Sequence, residues 1–193
     1  MSQTHLHRTG ILLALLALAA TLTGCSATRL SQKNYAILQS DSRAAMDRLS
    51  QIEPTFDGLV QTSVAYAVFP GGFNGVYYLL GAGGGRGLLY DASGSVLGYS
   101  RQIRLNAGLA LWIEYADLVI FFRNEQALER FQQGGWSLGG ELAAGFLGWG
   151  ASGQTTFTRD HVIVGDPRAS LGLGAFFTVD NFSYRNIDEV LQP

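Results

Sequence analysis

The pattern of apolar positions changes twice along the chain. An almost unbroken apolar run fills residues 11–22. From Lys33 to Ile52, apolar residues recur at steps of three and four, which is typical of an amphipathic helix. From Val64 onward they occur in short continuous runs or in strict alternation, and both patterns indicate strands. The pattern therefore predicts a helix followed by a region rich in sheet.

Within that region the sequence predicts many short strands. The continuous runs 64–69 and 118–122 are typical of strands buried on both faces. Asp91-Ala-Ser-Gly94 indicates a turn, and Asn124 has the features of a helix N-cap. The other predicted strands are 76–80, 87–90, 95–104, 136–143, 155–158, 161–164 and 171–179. Two further short helices are predicted at 56–62 and 188–191.

These elements predict an α+β fold, a single domain with a curved, mainly antiparallel sheet flanked by a few helices. The 25 glycines favour closely packed strands and turns over a helical bundle. The helix at 33–52 has two interpretations, packing on the sheet of its own domain or lying on a membrane. Its polar side mixes positive and negative charges, whereas helices at membrane interfaces are usually strongly basic there. We therefore favour packing on the sheet.

The apolar run at 11–22 is too short to span a bilayer, which takes about 20 apolar residues. A short basic segment precedes it, as in a secretory signal peptide. The run ends at Leu-Thr-Gly-Cys25, which has the form of a lipobox, and Cys25 is the only cysteine. We predict cleavage after residue 24 and lipidation of Cys25. The alternative is a plain signal peptide with a free cysteine, which would have no disulfide partner in an exported protein.

This processing divides the chain into a signal peptide (1–24), a lipidated tether (25–32) and a domain (33–193). Ser26 follows the cysteine in place of the aspartate that resembles an inner-membrane retention signal. The sequence therefore predicts an outer-membrane lipoprotein that faces the periplasm.

Charge and residue types exclude several kinds of function. A net charge of −2 with 15% charged residues makes the chain a poor candidate for nucleic acid or for a strongly anionic bilayer. After the signal peptide one histidine remains, His161, so a zinc site built from several His and Cys ligands is excluded. No Gly-x-Ser-x-Gly elbow occurs. We expect no enzyme activity, no cofactor and no metal.

The remaining polar candidates have structural interpretations beside the functional ones. Glu114 and Glu141 lie opposite apolar residues in alternating segments, so we expect both to face solvent. The glycine-rich segment 81–87 lacks the Gly-Lys-Ser/Thr of a phosphate-binding loop, which favours a tight turn or a close backbone crossing. Arg86 within it is a candidate for charge-assisted hydrogen bonds to a lipid phosphate.

Aromatic residues give a second candidate for membrane contact. Phe146-Leu-Gly-Trp149 does not alternate and is flanked by glycines. Because tryptophan favours the membrane interface, Phe146 and Trp149 are predicted to enter a bilayer from an exposed loop. The alternative is that these rings fill the core, which is the interpretation we favour for Trp112 and Trp136.

The order of several motifs resembles the SYLF (Ysc84-like) family over roughly residues 31–188. No single motif is specific, but the ordered set is. The similar segments are Ala67-Val-Phe-Pro70, Gly83-Gly-Gly-Arg-Gly-Leu-Leu89, Leu97-Gly-Tyr-Ser100, Gly108, Leu118–Phe122, Asn124–Phe131, Gly135-Trp136, Gly148–Gly153, Gly172, Phe182, Arg185 and Ile187.

The resemblance implies a lipid-binding module, with phospholipid as a candidate partner. Eukaryotic members bind phosphoinositide membranes and some fungal members bind actin, neither of which is expected in a bacterial envelope. The sequence departs from the family where Ala110 and Glu114 replace two common glutamines, with Trp112 between them in place of a glycine. Arg86 also stands where bacterial members often have an acid. The alternative function is an envelope structural or protein-interaction lipoprotein whose only lipid contact is its anchor.

Overall fold

The computed structural model describes residues 30–139 and 154–191. The helices are α1 (Gln32–Ile52), α2 (Phe56–Thr62), α3 (Glu125–Gln132) and α4 (Ile187–Val190). The strands are β1 (Ala65–Asp91), β2 (Val96–Phe122), β3 (Trp136–Gly139), β4 (Gln154–Phe157) and β5 (His161–Asn186). Every strand pair is antiparallel, in the order β1-β2-β5-β3 with β4 also on β5. The predicted α+β fold with an antiparallel sheet is confirmed.

The strands themselves differ from the prediction, because three very long strands replace most of the short ones. β1 and β2 have 27 residues each and β5 has 26. β1 pairs with β2 from Ala65↔Phe122 to Tyr90↔Val96. β5 then follows β2 along its length, with Phe122↔His161 at one end. The predicted turn at 91–94 is confirmed, since it connects β1 to β2.

Each long strand bends near its middle. Tyr78 has a φ of 60°, and the register of β1 shifts between Tyr78 and Leu80. The ring of Tyr66, near the start of β1, stacks on that of Tyr90, near its end, at 5.3 Å. The two halves of β1 therefore lie beside each other. We call residues 77–80, 107–111 and 173–177, which pair with one another in the sheet, the bend.

Glycines make this close approach possible. A Cβ built on Gly81 would lie 2.3 Å from the carbonyl oxygen of Gly75, and one built on Gly83 would lie 2.2 Å from that of Phe73. A Cβ on Gly87 would lie 2.5 Å from the carbonyl oxygen of Val68. The predicted close backbone crossing in segment 81–87 is confirmed, but the segment continues the strand and forms no turn.

Two hydrophobic cores cover the ends of the long strands that lie away from the bend. On the outer face of the sheet, α1 and α2 bury a cluster that includes Leu49, Phe56 and Phe121. On the inner face, α3 buries a cluster around Phe69 and Phe131. Ala45 and Leu49 of α1 are fully buried in the outer cluster, so the prediction that this helix packs on its own domain is confirmed.

Both clusters consist of residues between 45 and 182, so a chain that starts at Ser26 contains all of both cores. Among the described residues, no helix is long and apolar enough to cross a membrane. The predicted second short helix at 56–62 is confirmed, and the short C-terminal helix begins one residue before its predicted start.

Asn124 caps α3 as predicted, and its replacement tests that role. Its Oδ1 accepts a hydrogen bond from the backbone N–H of Ala127 at 2.9 Å. We expect Asn124→Ala to lower the free energy of unfolding by about 1 kcal/mol, and Asn124→Ser to retain most of it. Urea denaturation followed by circular dichroism measures both. Gln126→Ala on the exposed side of α3 is the control, and equal midpoints for Asn124→Ala and this control would refute the cap.

Candidate functional site

Between the cores and the bend, the outer face of the sheet is apolar and uncovered. Alternate residues of β2 from Ile103 to Tyr115 are exposed, while those between them are buried or half-buried. Leu171 is 80% exposed, Tyr77 74% and Leu80 71%. We call this surface the apolar face. Its large exposed side chains are Phe73, Tyr77, Leu80, Ile103, Leu105, Leu109, Leu111, Ile113, Tyr115, Leu171, Leu173, Phe177 and Val179.

No charged residue occurs around the bend. The segments 72–85, 105–113 and 169–179 contain no Asp, Glu, Lys or Arg. These segments are paired with one another in the sheet. We call them the uncharged band. A folded protein rarely leaves so many neighbouring apolar side chains in water, and such patches mark surfaces that bind a partner or a membrane.

The inner face of the same strands is polar. Arg104 donates from Nε to Oδ1 of Asp180 at 2.7 Å and from a terminal nitrogen to Oδ2 at 2.9 Å. Glu114 lies 3.7 Å from Arg104. Thr178 donates to Oδ1 of Asn106, whose Nδ2 donates to Oδ1 of Asn74 at 2.7 Å. These groups satisfy one another, as buried polar groups must.

The charge on Arg104 is stabilised by its partners. Burial opposes that charge, but the hydrogen bonds and negative charge of Asp180, with help from Glu114, outweigh burial and raise the pKa of Arg104. The expectation that Glu114 faces solvent is wrong. Glu114 does lie opposite the apolar residues of β2, but those residues point outward and Glu114 points into the polar network.

Arg86 lies on the outer face, beside the uncharged band, and is exposed. Its register partner on β2 is Arg101, and Arg185 of β5 is the partner of Tyr99 two residues before it. Burial raises the pKa of Tyr99, and the positive charges of Arg86, Arg101 and Arg185 act to lower it. We call these three residues the arginine cluster.

The other predicted site residues have a different outcome. Cys25, Phe146, Trp149 and Glu141 lie outside the described residues. Trp136 packs against the inner core, as predicted. Trp112 lies half-buried on the inner face, and its ring is 6.2 Å from that of Phe176.

Other polar groups have structural roles. Asp117 is fully buried and accepts hydrogen bonds from Arg48 of α1 at 2.8 Å and from the backbone N–H of Gly71. It therefore fastens α1 to the sheet. His161 begins β5, with its ring 5.1 Å from that of Trp136. In residues 30–139 and 154–191, no three His, Cys, Asp or Glu side chains are grouped closely enough to hold a metal ion.

The fold and the surface define an α+β domain whose sheet, between the cores and the bend, exposes apolar side chains on its outer face and carries a polar network on its inner face. Comparison with known proteins finds no matching family model, curated protein or solved structure. The SYLF resemblance therefore depends on the quoted sequence motifs and stays a prediction.

Proposed function

We propose that this chain is a non-enzymatic lipoprotein of the bacterial envelope whose domain binds a membrane surface. The observation that supports this function is the uncovered apolar face around the bend. Leu171, Tyr77 and Leu80 each leave more than two thirds of their surface in water. Transfer of such side chains into an acyl layer is favourable by about 25 cal/mol for each Å² removed from water.

The proposed lipid anchor would hold the domain close to a membrane. Lipidation of Cys25 ties the chain to the bilayer, and the tether from Cys25 to Gln32 spans at most roughly 25 Å when fully extended. The domain is therefore held at a high local concentration beside the membrane, so that even a weak contact with lipid is populated. The SYLF resemblance implies the same class of ligand, and Ser26 after the cysteine favours the outer membrane.

Vesicle binding by the chain from Ser26 onward tests this function without the anchor. We expect the protein to sediment with vesicles of bacterial phospholipids. Leu109→Asp with Leu171→Asp places two carboxylates on the apolar face. Because both side chains are exposed, we expect the fold to be kept, and circular dichroism verifies it. A charge in the acyl layer costs about 3 kcal/mol, and we expect the pair to weaken binding at least about 100-fold.

The matched control carries Ile37→Asp and Phe157→Asp, which are exposed apolar residues outside the uncharged band. It should bind as the unchanged protein does. If the folded protein binds none of the vesicles, the proposed lipid function is wrong. Because the same face also suits a protein partner, self-association or a stoichiometric co-purifying protein in that experiment would favour the alternative function, an envelope interaction protein.

A further inference from the structure

The arginine cluster groups three positive charges, and none of them has a carboxylate within ion-pair distance among the described residues. The ion pairs in the part of the chain that the structure describes involve Arg48, Arg104, Arg130 and Arg168, and none involves the cluster. Arg86 and Arg101 are direct register partners across β1 and β2. Like charges in that position destabilise a sheet. An anionic partner bound at this position would relieve the repulsion.

The cluster lies at the edge of the uncharged band on the outer face. From Arg101 toward the bend, β2 presents Ile103, Leu105 and Leu109 on the same side, and no charge intervenes there. Leu109 lies eight residues after Arg101, which is roughly 26 Å along the strand. If the strand is tilted in the membrane, the depth between the two residues is smaller than this distance. Lipid headgroups lie roughly 15–22 Å from the bilayer centre. With the bend in the acyl layer, the cluster reaches the headgroups.

The other half of the apolar face ends differently. Beyond Tyr115 the next outward residue of β2 is the buried Asp117, which is paired with Arg48 and lies 3.7 Å from Arg168. Arginines border the apolar face on both sides. Arg48 and Arg168 each lie within 4 Å of Asp117, whereas Arg86, Arg101 and Arg185 have no ion pair among the described residues. The cluster is therefore the side on which the guanidinium groups are left for an external anion.

Resting on the proposed function, we propose that the bend enters one leaflet and that Arg86, Arg101 and Arg185 bind the phosphates of anionic phospholipids. Guanidinium groups form charge-assisted, often bidentate hydrogen bonds to phosphate. A second copy of the chain fits less well, because a twofold interface formed by the uncharged band would offer the cluster no carboxylate. The net charge of −2 disfavours anionic bilayers for the chain as a whole, but the cluster concentrates positive charge where the apolar face meets the headgroups.

The experiment compares two vesicle compositions, phosphatidylcholine alone and phosphatidylcholine mixed with phosphatidylglycerol, using the chain from Ser26. We expect tighter binding to the mixed vesicles. Arg86→Gln with Arg101→Gln should weaken that binding about 30-fold, since each arginine near an anionic surface contributes about 1 kcal/mol. Binding to phosphatidylcholine alone should change little. Lysine at both positions should restore most of the binding.

The control pair is Arg123→Gln with Arg159→Gln, which removes the same charge from exposed positions just after β2 and just before β5, outside the uncharged band and the cluster. Circular dichroism verifies the fold of each variant. An equal loss for both pairs, or equal binding of the unchanged protein to both vesicle types, would overturn the phosphate site. If the Leu109 and Leu171 substitutions still abolish binding in that case, the proposed lipid function is kept and only the phosphate site is lost. No binding to either vesicle by the unchanged protein removes both proposals.

Discussion

Replacing Gly83 with alanine is expected to lower the free energy of unfolding by about 3 kcal/mol or more. The new Cβ would lie 2.2 Å from the carbonyl oxygen of Phe73 and 2.8 Å from the Cα of Asn74. Both neighbours are backbone atoms, so no side chain can rotate away and the two halves of β1 must separate. Overpacking of ordinary side chains already costs about 1–3 kcal/mol. Domains of this size have a total stability of roughly 5–15 kcal/mol.

Gly58→Ala is the control for that substitution. Gly58 lies inside α2, and nothing lies within 4 Å of a Cβ built there. Alanine in a helix interior is favoured over glycine by up to about 1 kcal/mol, so this variant should be as stable as the unchanged domain or more stable. Urea denaturation of both proteins measures the difference. If Gly83→Ala unfolds at the same urea concentration as Gly58→Ala, the strands do not approach each other as the structure shows.

Asp180→Ala is expected to cost about 3 kcal/mol, because it leaves the charge of Arg104 on the inner face with only Glu114 nearby. Removing one partner of a buried ion pair is strongly destabilising, whereas removing both partners costs much less. The double variant Asp180→Ala with Arg104→Ala should therefore lose less than the sum of the two single variants, and thermal or urea unfolding of all four proteins measures this coupling.

The exposed pair of Arg130 and Asp160 is the comparison for this result. Its atoms approach to 2.6 Å, about as closely as those of Arg104 and Asp180, but its side chains are 47% and 36% exposed. Arg130→Ala should therefore shift the unfolding midpoint only slightly, since water screens exposed pairs. Equal losses for Arg130→Ala and Asp180→Ala would show that the inner polar face is open to water.

Local signals in the sequence predicted the helices well. The stripe of α1 and the cap at Asn124 both depend on residues within one or two turns of each other, and both are confirmed. The continuity of β1 could not be predicted in this way. Segment 81–87 has the composition of a turn, but its glycines allow a close approach to residues distant in the sequence, such as Val68.

The sequence also does not show which face of each strand points to solvent. Alternation along β2 separates two sets of side chains, but it does not say which set the helices cover. The helices α1 and α2 cover the outward residues of β2 from Asp117 to Phe121, so the outward residues from Ile103 to Tyr115 stay in water. Glu114 belongs to the alternate set and points inward. Likewise, Arg86 was a candidate from its sequence, whereas Arg101 and Arg185 join it only through the register of three strands.

The pairing of the long strands over their whole length affects the rate of folding. Ala65 and Phe122 pair although they lie at opposite ends of two consecutive 27-residue strands, and β5 can join only after the chain beyond α3 is available. Such non-local pairing makes folding slow, and apolar strands stay exposed to aggregation meanwhile. We therefore expect the domain to refold slowly from urea and to aggregate readily at high protein concentration.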